Sequence, residues 1–439
     1  MKWFKQKSNI VVGILFLITC LSVLRKPIVY FPDSTGYLEV YLIRSAGYPM
    51  FLKLIQFIFG SYFEFGLIAT QLLIGLASIY FFVKAIQKHF NIGLLLLTLL
   101  TIALLFPYYF NGRIANNVLS EALSYALYIA VITRFVNFFV KHEKKQLVLA
   151  LPILFLLLTV RTQFFYLILV AILMIFWVLI KHKQWKSYRI ILGLYMLLPI
   201  VTIFVDKTYH KIAHNHFVST PWTGIHLAAP AYYVSDADDE AIFTDPEEKE
   251  LFRKIHQQLV EEKLNITIPV NREVESLTSR YISNYTTVAN KTIYKLSDAH
   301  FDSNLSENER FILVDSINKK MAFPLAMHNF KKWFKLYYGN VIFGFSSIEY
   351  LLLNVFILLF SLVMLFKRND VLSRIISLLL LCSLGNVLAI SIGIHAVFRY
   401  TFYNDWVIFL VVFLLLTYWG KYKKSEENNN KLHSESSVF

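Results

Sequence analysis

Charge is scarce in this chain: Asp, Glu, Lys and Arg make up 16% of its 439 residues, against about 25% in a typical soluble domain. Acidic residues are the scarcer sign, 29 against 43 Lys and Arg. The only two cysteines, Cys20 and Cys382, both lie inside apolar runs. That excludes a disulfide framework and assigns them to packing. Also missing are a GxxxxGK[ST] phosphate loop, a GxGxxG turn, a CxxC pair and an HExxH helix. Without the first, an ATP-driven pump would need a partner subunit to supply the ATPase.

Apolar residues are what the chain has in abundance. They make up 56% of it, and the mean hydropathy is +0.53. Runs near the ~20 residues needed to cross a bilayer recur from end to end. The net charge of +14 does not point to nucleic acid, because Lys and Arg cluster in short gaps between apolar runs. The expected fold is an all-α integral membrane protein of about ten transmembrane helices. The spans are 9–24, 64–83, 92–106, 118–140, 147–160, 163–180, 190–205, 347–366, 372–392 and 405–420. Arg161-Thr162-Gln163 splits the run 147–180, which is too long for one span. Lys2, Lys5 and Lys7 open the first span like a signal peptide, but no A-x-A cleavage site follows, so an uncleaved helix is expected.

Alternate gaps differ in charge. One set carries nineteen Lys and Arg; the opposite short gaps carry seven: Arg25, Lys26, Arg44, Lys53, Arg113, Arg161 and Arg399. The positive-inside rule places the first set and both termini in the cytoplasm. The division is then a module 1–206 of about seven helices with a first outer loop at 25–63, a large and mostly helical extracytoplasmic loop at 207–345, a module 346–420 of about three helices, and a disordered cytoplasmic tail at 421–439. Within the large loop, 309–337 is expected to form one amphipathic helix in the outer interface. The run Asp236, Asp238, Asp239 and Glu240 is expected to be a solvated loop.

The few ionisable residues of the outer gaps stand beside aromatic, Gly or Pro residues. Asp33 precedes Tyr37; Arg44 precedes Gly47-Tyr48-Pro49; Arg113 and Glu121 flank the start of the fourth span; Arg161 sits at a turn; His395, Arg399 and Tyr400 share the last outer gap. Charges held near a membrane boundary are costly unless paired or useful. Each also has a plain structural reading. Asp33 fits a helix cap, Glu121 a partner of Arg113, and Arg161 and Arg399 cations that snorkel to headgroups. His210, His214 and His216 have metal-like spacing, but no carboxylate or Cys completes a ligand set.

Taken in order, these segments resemble the GT-C type of integral membrane glycosyltransferases. PDSTGYLEVYLIRSAGYPMFLKLI is similar to their first outer loop, NNVLSEALSYAL to their second acidic site, LLTVRTQFFYLIL to their Arg turn between paired helices, and HAVFRYTFY to the Arg-Tyr pair of a late outer loop. Thr162 stands where proline is common in that turn. The likeness covers the first seven expected spans and the last outer gap; the segment 207–345 matches nothing in it.

The resemblance implies a sugar transferred from a polyprenyl-phosphate donor to an extracytoplasmic glycan, lipid or protein acceptor, in a bacterial cytoplasmic membrane. It implies Asp33 and Glu121 as catalytic carboxylates, with Asp33 the base. Arg161 and Arg399 would hold the leaving phosphate, supported by His395 and Tyr400. Arg44 and Arg113 would pair or bind substrate, and Tyr37 and Tyr48 would stack on sugar rings. No cofactor is required; a divalent metal at Asp33 and Glu121 is left open. A polymerase or ligase using diphosphate-linked donors is an alternative, as is a transporter or flippase, although transporters place charge near the midplane and often carry repeats.

Overall fold

The computed structural model describes residues 2–109, 113–183, 185–269 and 276–419. Among them every regular element is helical, and the sole strand-like contact is an isolated parallel bridge between Val29 and Asn117. The first half contains α1 (Lys2–Leu24), α2 (Pro32–Leu38), α3 (Gly47–Phe59), α4 (Phe63–Phe90), α5 (Leu94–Leu105), α6 (Glu121–Lys141), α7 (Lys144–Val160), α8 (Tyr166–His182) and α9 (Trp185–His214). A middle unit follows with α10 (Thr223–Tyr233), α11 (Pro246–Glu261), α12 (Leu277–Thr286), α13 (Lys295–Asp298), α14 (Glu307–His328) and α15 (Phe330–Gly344). The chain returns through α16 (Ile348–Lys367), α17 (Val371–Ser391), the single turn α18 (Phe398–Thr401) and α19 (405–419).

This is an all-helical, membrane-embedded protein. Eight stretches among the described residues are long and apolar enough to cross a bilayer. Their outward faces are what water would not tolerate. Ile10, Ile14, Leu17 and Leu21 recur along one side of α1, each about half exposed, while Val12 and Val23 are buried. Phe356, Leu359, Phe360, Val363 and Phe366 do the same on α16. Leucine and phenylalanine stripes of that extent belong against lipid tails, where helices also satisfy their own backbone groups. Inside the bundle, buried polar tips find carbonyls: Tyr125 Oη donates to Leu104 O at 2.8 Å and Trp406 Nε1 to Tyr403 O at 2.7 Å.

Two of the ten expected spans form helices shorter than the other eight, α5 with 12 residues and α7 with 17. Other expectations are corrected. Helix α9 runs past the expected boundary at 206 to His214. The stretch 309–337 is not one interfacial helix. It breaks at Asn329, where the buried side-chain amide donates to Asp239 Oδ2 at 2.6 Å. Helix α14 buries Val314, Met321 and Leu325 in the core of the middle unit, alongside Tyr232 and Phe252. Only α15, with Phe330, Phe334, Tyr338 and Phe343 about half exposed, keeps an aromatic outer face. Asp239 is likewise buried rather than solvated. The expected tail 421–439 lies outside the described residues.

A candidate active site at one end of the bundle

Pro32 opens α2 in the position where its missing N–H costs nothing. Ser34 serves the turn: its hydroxyl accepts from Phe31 N at 2.8 Å and donates to Val118 O at 2.9 Å. Asp33 is thereby free of capping duty. Its Oδ1 accepts from Arg44 Nη2 at 2.8 Å and its Oδ2 from Arg399 Nη1 at 2.8 Å. Arg44 reaches back because Val40 adopts a left-handed conformation (φ 60°) and Tyr41 N donates to Gly36 O at 2.8 Å. The guanidinium then lies over the Tyr37 ring, 4.6 Å from its centroid. A Cβ on Gly36 would stand 2.9 Å from Arg44 Nε.

The loop is seated on the bundle at two points. A Cβ on Gly47 would lie 2.7 Å from the backbone of Thr159 and Val160, so the start of α3 touches the end of α7. On the other side Asp206 of α9 accepts from Ala46 N at 3.3 Å and from Thr220 N at 2.8 Å. This joins the first loop to the start of the middle unit.

Glu121 occupies the first turn of α6 and is buried. Its Oε1 is 3.1 Å from Arg161 Nη1 and accepts from Arg399 Nε. Arg399 therefore bridges both carboxylates. Arg161 breaks the helix where the sequence suggested: α7 stops at Val160, Arg161 is extended, and its Nη1 donates to Tyr403 Oη at 3.2 Å. The Tyr400 ring faces both cations, with centroids 5.2 Å from Arg161 and 5.9 Å from Arg399. Tyr400 is held by its carbonyl, which accepts from Asn386 Nδ2 at 2.9 Å and Gln163 Nε2 at 3.3 Å. His395 follows, its ring centroid 6.0 Å from that of Tyr400.

Burial alone would raise the Asp33 carboxyl, but Arg44 and Arg399 outweigh it and hold the group below the usual carboxylate range. Burial, with Arg399 nearby, lowers the His395 imidazole against the opposing hydrogen bond that its Nδ1 donates to Ile282 O at 3.2 Å, so the ring is neutral at pH 7. The charge count is then three guanidinium groups against two carboxylates. Two buried polar atoms remain without hydrogen-bond partners, the donor Arg44 Nε and the acceptor Glu121 Oε2.

Of the residues singled out in the sequence, Asp33, Glu121, Tyr37, Arg44, Arg161, Arg399, Tyr400 and His395 come together here. Two do not join them as expected. Tyr48 is fully buried, its hydroxyl donating to Gln71 at 3.1 Å and its ring packed against Tyr37 and Phe51, so no face is left for a sugar. Arg113 enters none of these ion pairs; Glu121 uses Arg161 and Arg399 instead. A divalent metal does not suit the donor set. No group of three His, Cys, Asp or Glu side chains gathers among the described residues, and an ion at Asp33 and Glu121 would face three guanidinium cations. His210 is buried beside Asp206, Nε2 to Oδ1 3.7 Å, in a clamp rather than a ligand set. Asp206, and His226 of the middle unit beside His395, were missed, since neither carries a motif. No family model, curated protein or solved structure gives a significant match to this chain.

Proposed function

We propose that this protein is a membrane glycosyltransferase that moves a sugar from a polyprenyl-phosphate donor to an extracytoplasmic acceptor. The reading includes a GT-C-like bundle of about ten spans with both termini in the cytoplasm, and α5 and α7 as its short spans. The observation that carries it is the single excess positive charge at a cluster whose bridging cation is Arg399. A polyprenyl-phosphate sugar is a phosphodiester with one negative charge, whereas a diphosphate-linked donor brings two. Guanidinium forks suit paired phosphate oxygens, and their preorganisation offsets the second charge that develops as phosphate leaves.

In this mechanism the acceptor hydroxyl oxygen attacks the anomeric carbon, and the bond from that carbon to the phosphate oxygen breaks. The polyprenyl phosphate departs with the electron pair toward Arg399 and Arg161. The hydroxyl proton passes to Asp33. Because two arginines make that carboxylate a weak base, the proton moves late, after C–O bond formation has acidified the hydroxyl. Glu121 positions the arginines. An apolar groove between α7 and α9, lined by Leu151, Pro152, Phe155, Leu194, Leu197, Leu198 and Val201, offers a seat for the lipid tail.

The test is a panel of labelled polyprenyl-phosphate and polyprenyl-diphosphate sugars given to purified wild type, Arg399→Lys and Arg399→Ala in lipid. Transfer is expected from a monophosphate-linked donor, with kcat/KM reduced about a hundredfold by Ala and less by Lys. Transfer from diphosphate-linked donors alone would replace this reading with the polymerase or ligase one.

A further inference from the structure

The ion pairs explain the charge of the site and leave one wall to the middle unit. From Arg399 a series of rings leads away from the phosphate side. The Tyr400 ring neighbours His395, and the His395 centroid lies 4.3 Å from that of Tyr285 on α12. The Tyr285 hydroxyl meets His226 Nδ1 of α10 at 2.6 Å. His226 stands near enough to Arg44 for the guanidinium to oppose a second positive charge on the imidazole. The series thus ends beside the other arginine that holds Asp33.

The hydrogen bonds of Tyr285 bear on the tautomer of the imidazole. Tyr285 has one hydroxyl proton, donated to Gly393 O at 3.3 Å. With that proton on Gly393 O, its oxygen accepts from His226, the arrangement in which the histidine proton sits on Nδ1 and Nε2 is a bare acceptor. Nε2 takes no hydrogen bond among the described residues. Burial, followed by His395 and Arg44, pushes the His226 pKa down to about 4, so the ring is neutral at pH 7. A neutral acceptor is a poor partner for phosphate and a good one for a hydroxyl.

We propose that His226, oriented by Tyr285, binds the acceptor, taking a hydrogen bond at Nε2 from a hydroxyl of an acceptor glycan. This rests on the glycosyltransferase reading for the word acceptor, and on the contacts alone for the hydroxyl site. The middle unit then selects the acceptor instead of simply covering the centre.

Two measurements test it. In wild-type protein labelled with 15N-histidine, the Nε2 resonance of His226 is assigned by its loss in His226→Ala. A panel of methyl glycosides is then titrated in. At least one should shift that resonance saturably, and Tyr285→Phe should weaken the binding about tenfold, as expected for loss of a hydrogen bond that orients the ring. Absence of any shift across the panel would overturn the proposal without any need for turnover. In the transfer assay, His226→Ala and Tyr285→Phe should raise the acceptor KM about tenfold, by more than they change the donor KM. An unchanged acceptor KM, or equal changes in both, would overturn it. Wild type that shifts with glycosides but turns over no donor would refute the transferase reading and leave the hydroxyl site standing.

Discussion

Asp33 leaves 35% of its side chain accessible and Glu121 only 5%. That difference separates a carboxylate that can meet substrate from one that holds other groups in place. Glu121→Gln removes the anion opposite two buried cations and should destabilise the protein by about 3 kcal/mol, the scale for an uncompensated buried charge. Asp33→Asn, at a partly exposed pair, should cost under about 1 kcal/mol. Thermal unfolding in detergent compares the two; equal losses would give both carboxylates a structural role. His226 adds a pH dependence. Its folded pKa of about 4 lies below the ~6.5 of the unfolded chain, so the unfolded state binds more protons between those values. Stability should fall as pH drops from about 6.5 to 4, by an amount on the order of 3 kcal/mol at full titration. His395 and His256 shift in the same direction, so the His226 share is the part of the slope that His226→Ala removes. An unchanged slope would show that His226 is not held neutral.

Among the elements, the contact of α3 with α7 sets the geometry of the site, since it brings Arg44 and Arg161 onto one surface. Gly47→Ala forces a Cβ to 2.7 Å from the Thr159 and Val160 backbone, where no side chain can swing aside. The cost should be about 2 kcal/mol or more, with activity falling alongside. Gly193→Ala, with nothing within 4 Å, is the matched control; similar melting shifts for both would remove this contact from the account. Much at this scale was legible. The α7 stop at Arg161 followed from the length of the apolar run. The break at Asn329 was not, because it depends on Asp239, 90 residues away. Nor was the burial of α14, whose apolar residues face α10 in a unit without a periodic sequence signature. Tyr48 looked like a ligand for sugars because its neighbours in sequence are functional in character; its hydroxyl is spent on Gln71.

For the whole molecule, composition and hydropathy sufficed for an all-helical membrane protein, and the order of the few charges in the sparsely charged gaps singled out most of the residues that come together. What they do not encode is pairing. Arg399 and Glu121 are 278 residues apart, and only the closed bundle shows that Arg399 joins them both to Asp33. The same closure brings α10 and α12 of the middle unit against the gap between α17 and α19, which no local pattern announces. The central claim is that this junction transfers sugar. It is tested most directly by supplying labelled polyprenyl-phosphate sugars and an acceptor extract to wild type and Asp33→Asn side by side, both shown to be folded by their melting curves. Label in the acceptor with wild type, and a loss of at least about a hundredfold with Asp33→Asn, is the predicted result. Full turnover by Asp33→Asn, or no transfer by folded wild type from any donor, would contradict it.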